Sequence, residues 1–135
     1  MRKVLGIEYK GTRYFGWQKQ KKFITVQGEL EKALKKFLSK NKVETFGSGR
    51  TDTGVHASSQ VVHFDTDIKR PKRSWINGLN SLLPDDILCI ASLTPMTNFI
   101  QDFRLSIDHI VILFITVHLE NLYLQIIFVG TQTVY

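Results

Sequence analysis

The sequence has few cysteines and no long apolar run near its N-terminus, and each shortage excludes a class of protein. Its single cysteine, Cys89, cannot form an internal disulfide, which favours a reducing, cytoplasmic setting. Because Cys89 lies in an alternating apolar run, we expect a buried thiol. The first residues, Met1–Gly6, contain too few apolar side chains for a signal peptide. The sequence also lacks an internal repeat.

A long apolar run occurs later, over residues 107–117, but it is a poor candidate for a membrane span. His118, Glu120 and Asn121 interrupt the run well before it reaches the length that a bilayer requires. We therefore expect no membrane association.

Positive charge is what the sequence has in excess. The chain has 135 residues, enough for one domain, and 18 Lys and Arg against 12 Asp and Glu give it a net charge of +6. All but one of the 18 precede Phe103, with clusters over residues 19–42 and 69–73. A polyanionic partner is one explanation, and a solvated helix face is the other.

The hydrophobic pattern predicts the order strand, helix, strand, strand, helix, strand. Thr25 is a good N-cap for the first helix, and Pro84 would stop the second. We expect an α+β fold with a ferredoxin-like antiparallel sheet and helices on one face. The other face would be open to nucleic acid or to a partner sheet. The predicted strands and helices are Lys3–Tyr9, the helix after Thr25, Val43–Phe46, Val61–Thr66, Lys72–Leu82 and Ile87–Leu93.

The segment Gly49–Ala57 is the main candidate for a functional site. Its glycines permit a tight turn and a close approach by a substrate, and it presents Arg50 and Asp52 two residues apart. A carboxylate beside a guanidinium stays ionised, as a nucleophile requires. Taken alone, the segment favours the simpler interpretation, a surface turn between two strands that Asp52 and Arg50 close.

Three segments together resemble the tRNA pseudouridine synthase A family: Tyr9–Gln20, Gly49–Ala57 and Asn77–Ile87. The resemblance runs in order from the N-terminus to about Phe99. One departure is Thr53, where alanine is usual in the family. The resemblance implies the N-terminal half of a pseudouridine synthase fold, and it implies isomerisation of uridine to pseudouridine in the anticodon stem-loop of tRNA. It further implies a homodimer and no metal, nucleotide or redox cofactor.

The resemblance also assigns residues to roles. Asp52 would be the catalytic aspartate, adding to the pyrimidine ring or else attacking or deprotonating the sugar. Arg50 would hold the site open after the base flips out and keep Asp52 charged. Thr51 and His56 are expected at the substrate, His56 contacting RNA or supporting the loop. His63, which alternates with apolar neighbours, is expected to be structural, and a His56–His63 metal site lacks a third ligand.

After Phe99 the resemblance ends. Ile110 or His109 stands where the family has the tyrosine that packs on the target base, and neither can replace an aromatic ring bearing a hydroxyl. Back-translation from Phe99, read one base out of frame, can spell Phe-His-Ser-Arg-Phe-Ser-Ala-Ile-Asp-Arg-Ser-Tyr-Cys-Tyr, which is similar to the next block of the family. Our hypothesis is a one-base deletion near Asn98 or Phe99.

We therefore expect a catalytic domain over residues 1–99 and an aberrant apolar tail over residues 100–135. On this interpretation the chain is a truncated, inactive copy of the enzyme. Two alternatives are a basic RNA-binding module without catalysis and a fragment without function.

Overall fold

A computed structural model describes residues 1–94, which form a four-stranded antiparallel sheet and two helices. The sheet order is β2-β3-β1-β4, and each neighbouring pair is antiparallel. The predicted α+β class is confirmed. The elements are β1 (Arg2–Tyr9), α1 (Val26–Leu38), β2 (Phe46–Gly47), β3 (Ala57–Asp65), α2 (Lys72–Leu82) and β4 (Ile87–Leu93).

Both helices pack on the same face of the sheet. Alternate residues of β1, such as Leu5 and Ile7, are fully buried and belong to one apolar cluster with side chains of α1 and α2. Two-residue alternation along a strand places these side chains on one face. The cluster also contains Cys89, so the prediction of a buried thiol is confirmed, and burial raises the pKa of this thiol to about 12.

Local signals explain where the helices begin and end. The Thr25 hydroxyl accepts a hydrogen bond from the Gly28 N–H at 3.2 Å, which is the expected N-cap of α1. Ser39 ends α1 in the left-handed conformation, with φ of 52°. Leu83, which precedes Pro84, is extended, and α2 ends at the residue before it, as predicted.

The two helices approach each other closely at Gly78. A Cβ at this position would lie 2.2 Å from the ring of Phe37, so only glycine leaves room for that ring. The Phe37 ring also contacts Trp75, with ring centroids 5.1 Å apart. The small residue in α2 therefore allows an aromatic side chain of α1 to enter the helix interface.

Asn80 in α2 completes the outer edge of the sheet. Its amide donates to the Cys89 carbonyl at 2.9 Å and accepts from the Cys89 N–H at 2.7 Å. One side chain thus takes the place of a neighbouring strand at this residue of β4.

The predicted strand Val43–Phe46 is wrong in extent, because only Phe46 and Gly47 pair with β3. The backbone N–H of Thr45 binds the buried Glu31 carboxylate at 2.9 Å, and its carbonyl accepts from Gln27 at 2.8 Å. Side chains of α1 therefore satisfy the backbone groups that a strand would have paired. The apolar pattern alone gave no sign of this competition.

The strand predicted over Val61–Thr66 begins four residues earlier, at Ala57, and ends at Asp65. Its early part pairs with the end of β1, with Tyr9 opposite Ala57 and Ile7 opposite Gln60. The polar sequence of residues 58–60 hid this part of β3. Because β3 begins at Ala57, the loop bearing Asp52 ends directly beside the end of β1.

Candidate active site

The loop that joins β2 to β3, residues 48–56 and hereafter the aspartate loop, carries Asp52. The residue is exposed, whereas the preceding Thr51 is buried and Arg50 is exposed again. Beside the loop runs the N-terminal segment, residues 10–18, which follows β1 directly. Asp52 and Arg50 therefore both face solvent on either side of an inward-pointing residue.

Thr51 anchors the aspartate loop to the end of β1. Its hydroxyl and the Tyr9 hydroxyl are 2.7 Å apart and both are buried, and its carbonyl accepts from the Trp17 N–H at 3.1 Å. Burial raises the pKa of Tyr9, an effect that the hydrogen bond to Thr51 opposes. The structure gives Thr51 an anchoring role, and its predicted contact with substrate stays a prediction.

Asp52 occupies the first position of a tight turn. The Val55 N–H donates to the Asp52 carbonyl at 3.1 Å, and Gly54 at the third position has φ of +80°. A positive φ at this position is the requirement of a type II turn, which glycine meets without strain. The residue Thr53, noted above as a departure from the family, sits at the second position and is exposed.

Two glycines of the N-terminal segment touch the backbone of the aspartate loop. A Cβ on Gly16, whose φ is +81°, would lie 2.7 Å from the Thr51 carbonyl oxygen, and one on Gly11 would lie 1.9 Å from the Val55 oxygen. The Gly54 N–H also donates to the Tyr14 carbonyl at 3.2 Å. The turn that presents Asp52 is thus held against the N-terminal segment, backbone to backbone.

His56 supports the loop in the way that one of its two expected roles requires. Its Nδ1 accepts a hydrogen bond from the Gly11 N–H at 2.9 Å, so this nitrogen carries no proton in the contact. The side chain is half-buried. Its other expected role, contact with RNA, stays a prediction.

His63 lies away from this site, on β3. It stacks against Phe46 with ring centroids 5.3 Å apart, and burial is the main cause that lowers its pKa. These contacts agree with the structural role expected for it. Over residues 1–94, no group of three or more His, Cys, Asp or Glu side chains is arranged to hold a metal ion.

The third segment of the resemblance meets the N-terminal segment at Asp86. Arg13 contacts one Asp86 oxygen at 2.8 Å, and the Tyr14 hydroxyl donates to the other at 2.5 Å. Burial opposes ionisation of Asp86, but these two hydrogen bonds outweigh it and lower the pKa of the carboxyl. Sequence reasoning assigned no role to Asp86, Tyr9, Gly11 or Gly16, although all four lie in or beside the segments that carry the resemblance.

A groove of about 670 Å³ opens beside the aspartate loop and includes Arg50 and Gly49 in its lining. Most of its charged residues are basic: Lys19, Lys21, Lys35, Lys42 and Arg50. The buried Glu31 carboxylate also lines the groove and binds the Lys19 amine at 2.7 Å. The groove gives a negatively charged strand a path past the loop.

Some expectations from the sequence concern residues that the structure does not describe. Ile110, expected at the position of the family tyrosine, lies beyond the described residues, as does the rest of the predicted tail. The described part of the chain contains no helix long and apolar enough to cross a membrane.

Comparison with known proteins gives consistent matches. Residues 6–103 match the family model described as tRNA pseudouridine synthase. This chain is 56% identical to tRNA pseudouridine synthase A of Actinobacillus succinogenes over 87 residues. These residues are 64% of this chain and 33% of that protein. The corresponding proteins of Aeromonas hydrophila and Haemophilus influenzae are 58% and 53% identical over 64% of this chain and 32% of theirs.

The chain therefore spans about a third of the length of the curated relatives that it matches. The family model nevertheless covers most of the chain, including all three segments that carry the resemblance. This chain belongs to the tRNA pseudouridine synthase family.

Proposed function

We propose that this chain supplies the aspartate-bearing part of a tRNA pseudouridine synthase, which isomerises uridine to pseudouridine in the anticodon stem-loop. The supporting observation is the presentation of Asp52, which is exposed at the first position of a turn whose backbone is held against the N-terminal segment. A reacting group fixed in this way loses little conformational freedom when substrate arrives.

The reaction explains why a fixed carboxylate is needed. The glycosidic C–N bond of uridine must break, the base must rotate, and a C–C bond must form in its place. A carboxylate serves by adding to the ring, or by attacking or deprotonating the sugar. The base must first leave its stack at a cost of a few kcal/mol, which binding elsewhere on the RNA offsets.

The neighbours of Asp52 take distinct roles in this proposal. Arg50 stacks on or pairs with the RNA that surrounds the flipped base. Thr51 and His56 act through the loop, since their side chains bind Tyr9 and the Gly11 N–H. A second contact from His56 to the RNA would use the ring nitrogen that Gly11 leaves open.

The basic groove takes the phosphate backbone. Lys21, Lys35 and Lys42 line it together with Arg50, so a strand lying there passes directly beside the aspartate loop. Each phosphate that a lysine neutralises is expected to add about 0.9 to the slope of log affinity against log salt concentration for a duplex.

We further propose that residues 1–99 are the N-terminal catalytic domain and that residues 100–135 arise from a shifted reading frame. The strand order β2-β3-β1-β4, with both helices on one face, supports a ferredoxin-like half of a pseudouridine synthase fold. Without the family tyrosine, for which Ile110 is no substitute, the 135-residue chain binds RNA but does not turn it over.

The nucleotide sequence tests the frame directly. The codons for residues 100–111 are expected to spell the shifted block given above when read from the last base of each codon. Codons that cannot spell it would contradict the shift and leave residues 100–135 as an ordinary part of the protein.

The setting that fits this function is the cytoplasm, and the family resemblance supports a homodimer. The buried Cys89 is compatible with a reducing compartment. Sedimentation of the purified chain with and without tRNA tests the oligomeric state.

Tritium release tests the function. Residues 1–94 of this chain are joined to the remainder of the Actinobacillus succinogenes relative, and turnover is measured on tRNA that carries uridine labelled at C5. We expect release from the chimera and none from its Asp52→Ala variant. The matched control is Asp67→Asn, because Asp67 is an exposed carboxylate whose ion pair with Lys40 lies on the surface.

The outcomes separate the candidates. A chimera that releases tritium equally well after Asp52→Ala contradicts the assignment of Asp52. The 135-residue chain measured beside it is expected to bind tRNA without release, and turnover by that chain would contradict its proposed inactivity. A chain that neither binds nor reacts would instead be the fragment without function.

A further inference from the structure

The structure contains an exposed aromatic pair that the proposed function does not use. Phe15 and Phe23 have ring centroids 4.5 Å apart, yet they are 45% and 48% exposed. The next residue, Ile24, is 60% exposed. Exposing three large apolar side chains to water is unfavourable. An exposed apolar patch of this kind is typical of a surface that binds a ligand or a partner.

The pair brackets a basic loop. The Phe15 N–H donates to the Ile24 carbonyl at 2.9 Å, which closes the chain between them, and the Gln20 amide donates to the Phe15 carbonyl at 3.2 Å. Residues 18–24 are all exposed and include Lys19, Lys21 and Lys22. We refer to residues 18–24 as the lysine loop.

The pair also lies close to the aspartate loop. Phe15 directly precedes Gly16, and a Cβ on Gly16 would lie 2.7 Å from the Thr51 oxygen and 3.5 Å from the carbonyl carbon of Asp52. Lys19 and Lys21 line the groove that Arg50 also lines. Lys19 and Lys21 belong to the lysine loop that the two rings flank, so the rings border a loop that lines the groove next to the aspartate loop.

We propose that Phe15 and Phe23 form a stacking platform for an unpaired nucleobase of the RNA, next to the uridine that Asp52 handles. The inference rests on the proposed function, because the RNA is that function's substrate. Sites for single-stranded nucleic acid combine aromatic faces with a basic path for the backbone, and this surface has both.

A protein partner fits this surface less well. The buried centre of a protein interface is depleted in lysine, whereas three lysines lie in the loop that joins the two rings. Their charge matches a phosphate backbone instead. The aromatic faces are tolerant of base identity, so the platform would favour unpaired loop nucleotides of any sequence.

The test measures binding of the full chain to an RNA hairpin with a uridine-containing loop, in which one loop base is 2-aminopurine. Affinity comes from fluorescence anisotropy, and stacking comes from quenching of 2-aminopurine. We expect Phe23→Ala and Phe23→Leu to weaken binding about tenfold and to abolish the quenching. Phe23→Tyr should preserve both, because it retains the ring.

The matched control is Leu88→Ala, which removes a 46% exposed apolar side chain from β4. It should leave binding unchanged. Retention of affinity and quenching by Phe23→Leu would overturn the inference, since leucine offers apolar contact without an aromatic face. A changed sedimentation coefficient in Phe23→Ala, with unaltered RNA binding, would also overturn it and identify a protein contact.

The tritium-release chimera keeps this inference separate from the proposed function. Ring-dependent binding without any turnover in the chimera would contradict the function and leave the stacking platform standing. If turnover depends on Asp52 but RNA affinity does not depend on Phe15 or Phe23, the stacking platform is contradicted and the proposed function stands.

Discussion

At the scale of single residues, the position of Asp52 depends on places where a side chain is absent. Gly16 has φ of +81° and faces the Thr51 carbonyl, and Gly11 faces the Val55 carbonyl at a distance that excludes any Cβ. Neither glycine could react with a substrate. Their contribution is to let two backbone segments touch, and this contact fixes the turn that starts at Asp52.

Gly16→Ala should therefore destabilise the protein. A Cβ would combine left-handed strain with a 2.7 Å contact to the Thr51 oxygen, and we expect a loss of about 2 kcal/mol in the free energy of unfolding. Urea denaturation of the wild type and the variant measures this loss.

Gly49→Ala is the control within the same region. The nearest atom to its Cβ would be a Gln60 side-chain oxygen at 3.9 Å, an ordinary contact. Its effect should stay within about 0.5 kcal/mol. An equal loss at both glycines would show that close backbone approach is not what makes Gly16 necessary.

The hydrogen bond between Tyr9 and Thr51 gives a second prediction at this scale. Tyr9→Phe leaves the buried Thr51 hydroxyl without its partner, and Thr51→Val does the same to Tyr9, so each should cost about 1–2 kcal/mol. The double variant removes both polar groups and should be less destabilised than the sum of the two. Unfolding free energies of all four proteins, combined as a double-mutant cycle, measure the coupling. Strict additivity would mean that this bond does not anchor the loop.

These residues show how far the sequence could be used. The pattern of Gly49–Ala57 predicted a loop that presents a carboxylate, and Asp52 is indeed exposed in such a loop. Its fixation was not predictable from pattern, because backbone-to-backbone contacts between residues far apart in the chain leave no periodic signal. The glycines were the one feature of the sequence that indicated a close backbone approach.

At the scale of secondary structure, the buried Glu31 explains both a failed prediction and the shape of the groove. Its carboxylate binds the backbone and hydroxyl of Thr45 and the amine of Lys19. One side chain of α1 thus joins the two chain segments that border the groove.

Glu31→Ala should cost about 2–4 kcal/mol, because it leaves the buried Thr45 N–H without an acceptor. Glu31→Gln retains an oxygen for that N–H and should cost less than half as much. Thermal or urea denaturation of the two variants provides the comparison. Equal destabilisation by both would indicate that the negative charge, not the bond to Thr45, is what matters.

His63 gives a prediction of pH dependence within the sheet. Burial lowers its folded-state pKa below the ordinary 6.5, so the unfolded chain takes up a proton first as pH falls. The stability that comes from neutral His63 is present above pH 6.5. It is lost as pH falls through that value toward the folded-state pKa.

The matched variant is His63→Phe, which keeps the ring stacked on Phe46 but cannot be protonated. Unfolding free energies measured from neutral to mildly acidic pH should fall less steeply for the variant. The pKa values of Asp65 and Asp86 are lowered from the ordinary 3.8. Their protonation therefore changes stability only at more acidic pH, outside the range measured here. An identical slope in the two proteins would contradict the assignment to His63.

Most elements were predictable because their signals are local. A capping threonine, an apolar stripe and a terminal proline set the bounds of α1 and α2, and alternation set those of β4. The strand predicted over Val43–Phe46 failed because Glu31, far away in sequence, competes for its hydrogen bonds. The early start of β3 was hidden because its pairing with β1 does not require apolar residues.

At the scale of the whole molecule, the N-terminal segment connects the other two segments that carry the family resemblance. The N-terminal segment lies between the aspartate loop on one side and Asp86 on the other, with hydrogen bonds to both. Positive charge is concentrated in the same part of the chain, along the groove beside Arg50. The local geometry and the overall charge are therefore both compatible with the proposed RNA substrate.

The most direct measurement is a single-turnover assay that reads RNA affinity and rate constant together, on the chimera and its Asp52→Asn variant. Since the amide keeps the shape of the side chain but cannot act as a nucleophile or base, we predict unchanged affinity and a rate lower by more than about 1000-fold. A variant that converts uridine at nearly the original rate would contradict the central claim that Asp52 carries the reaction.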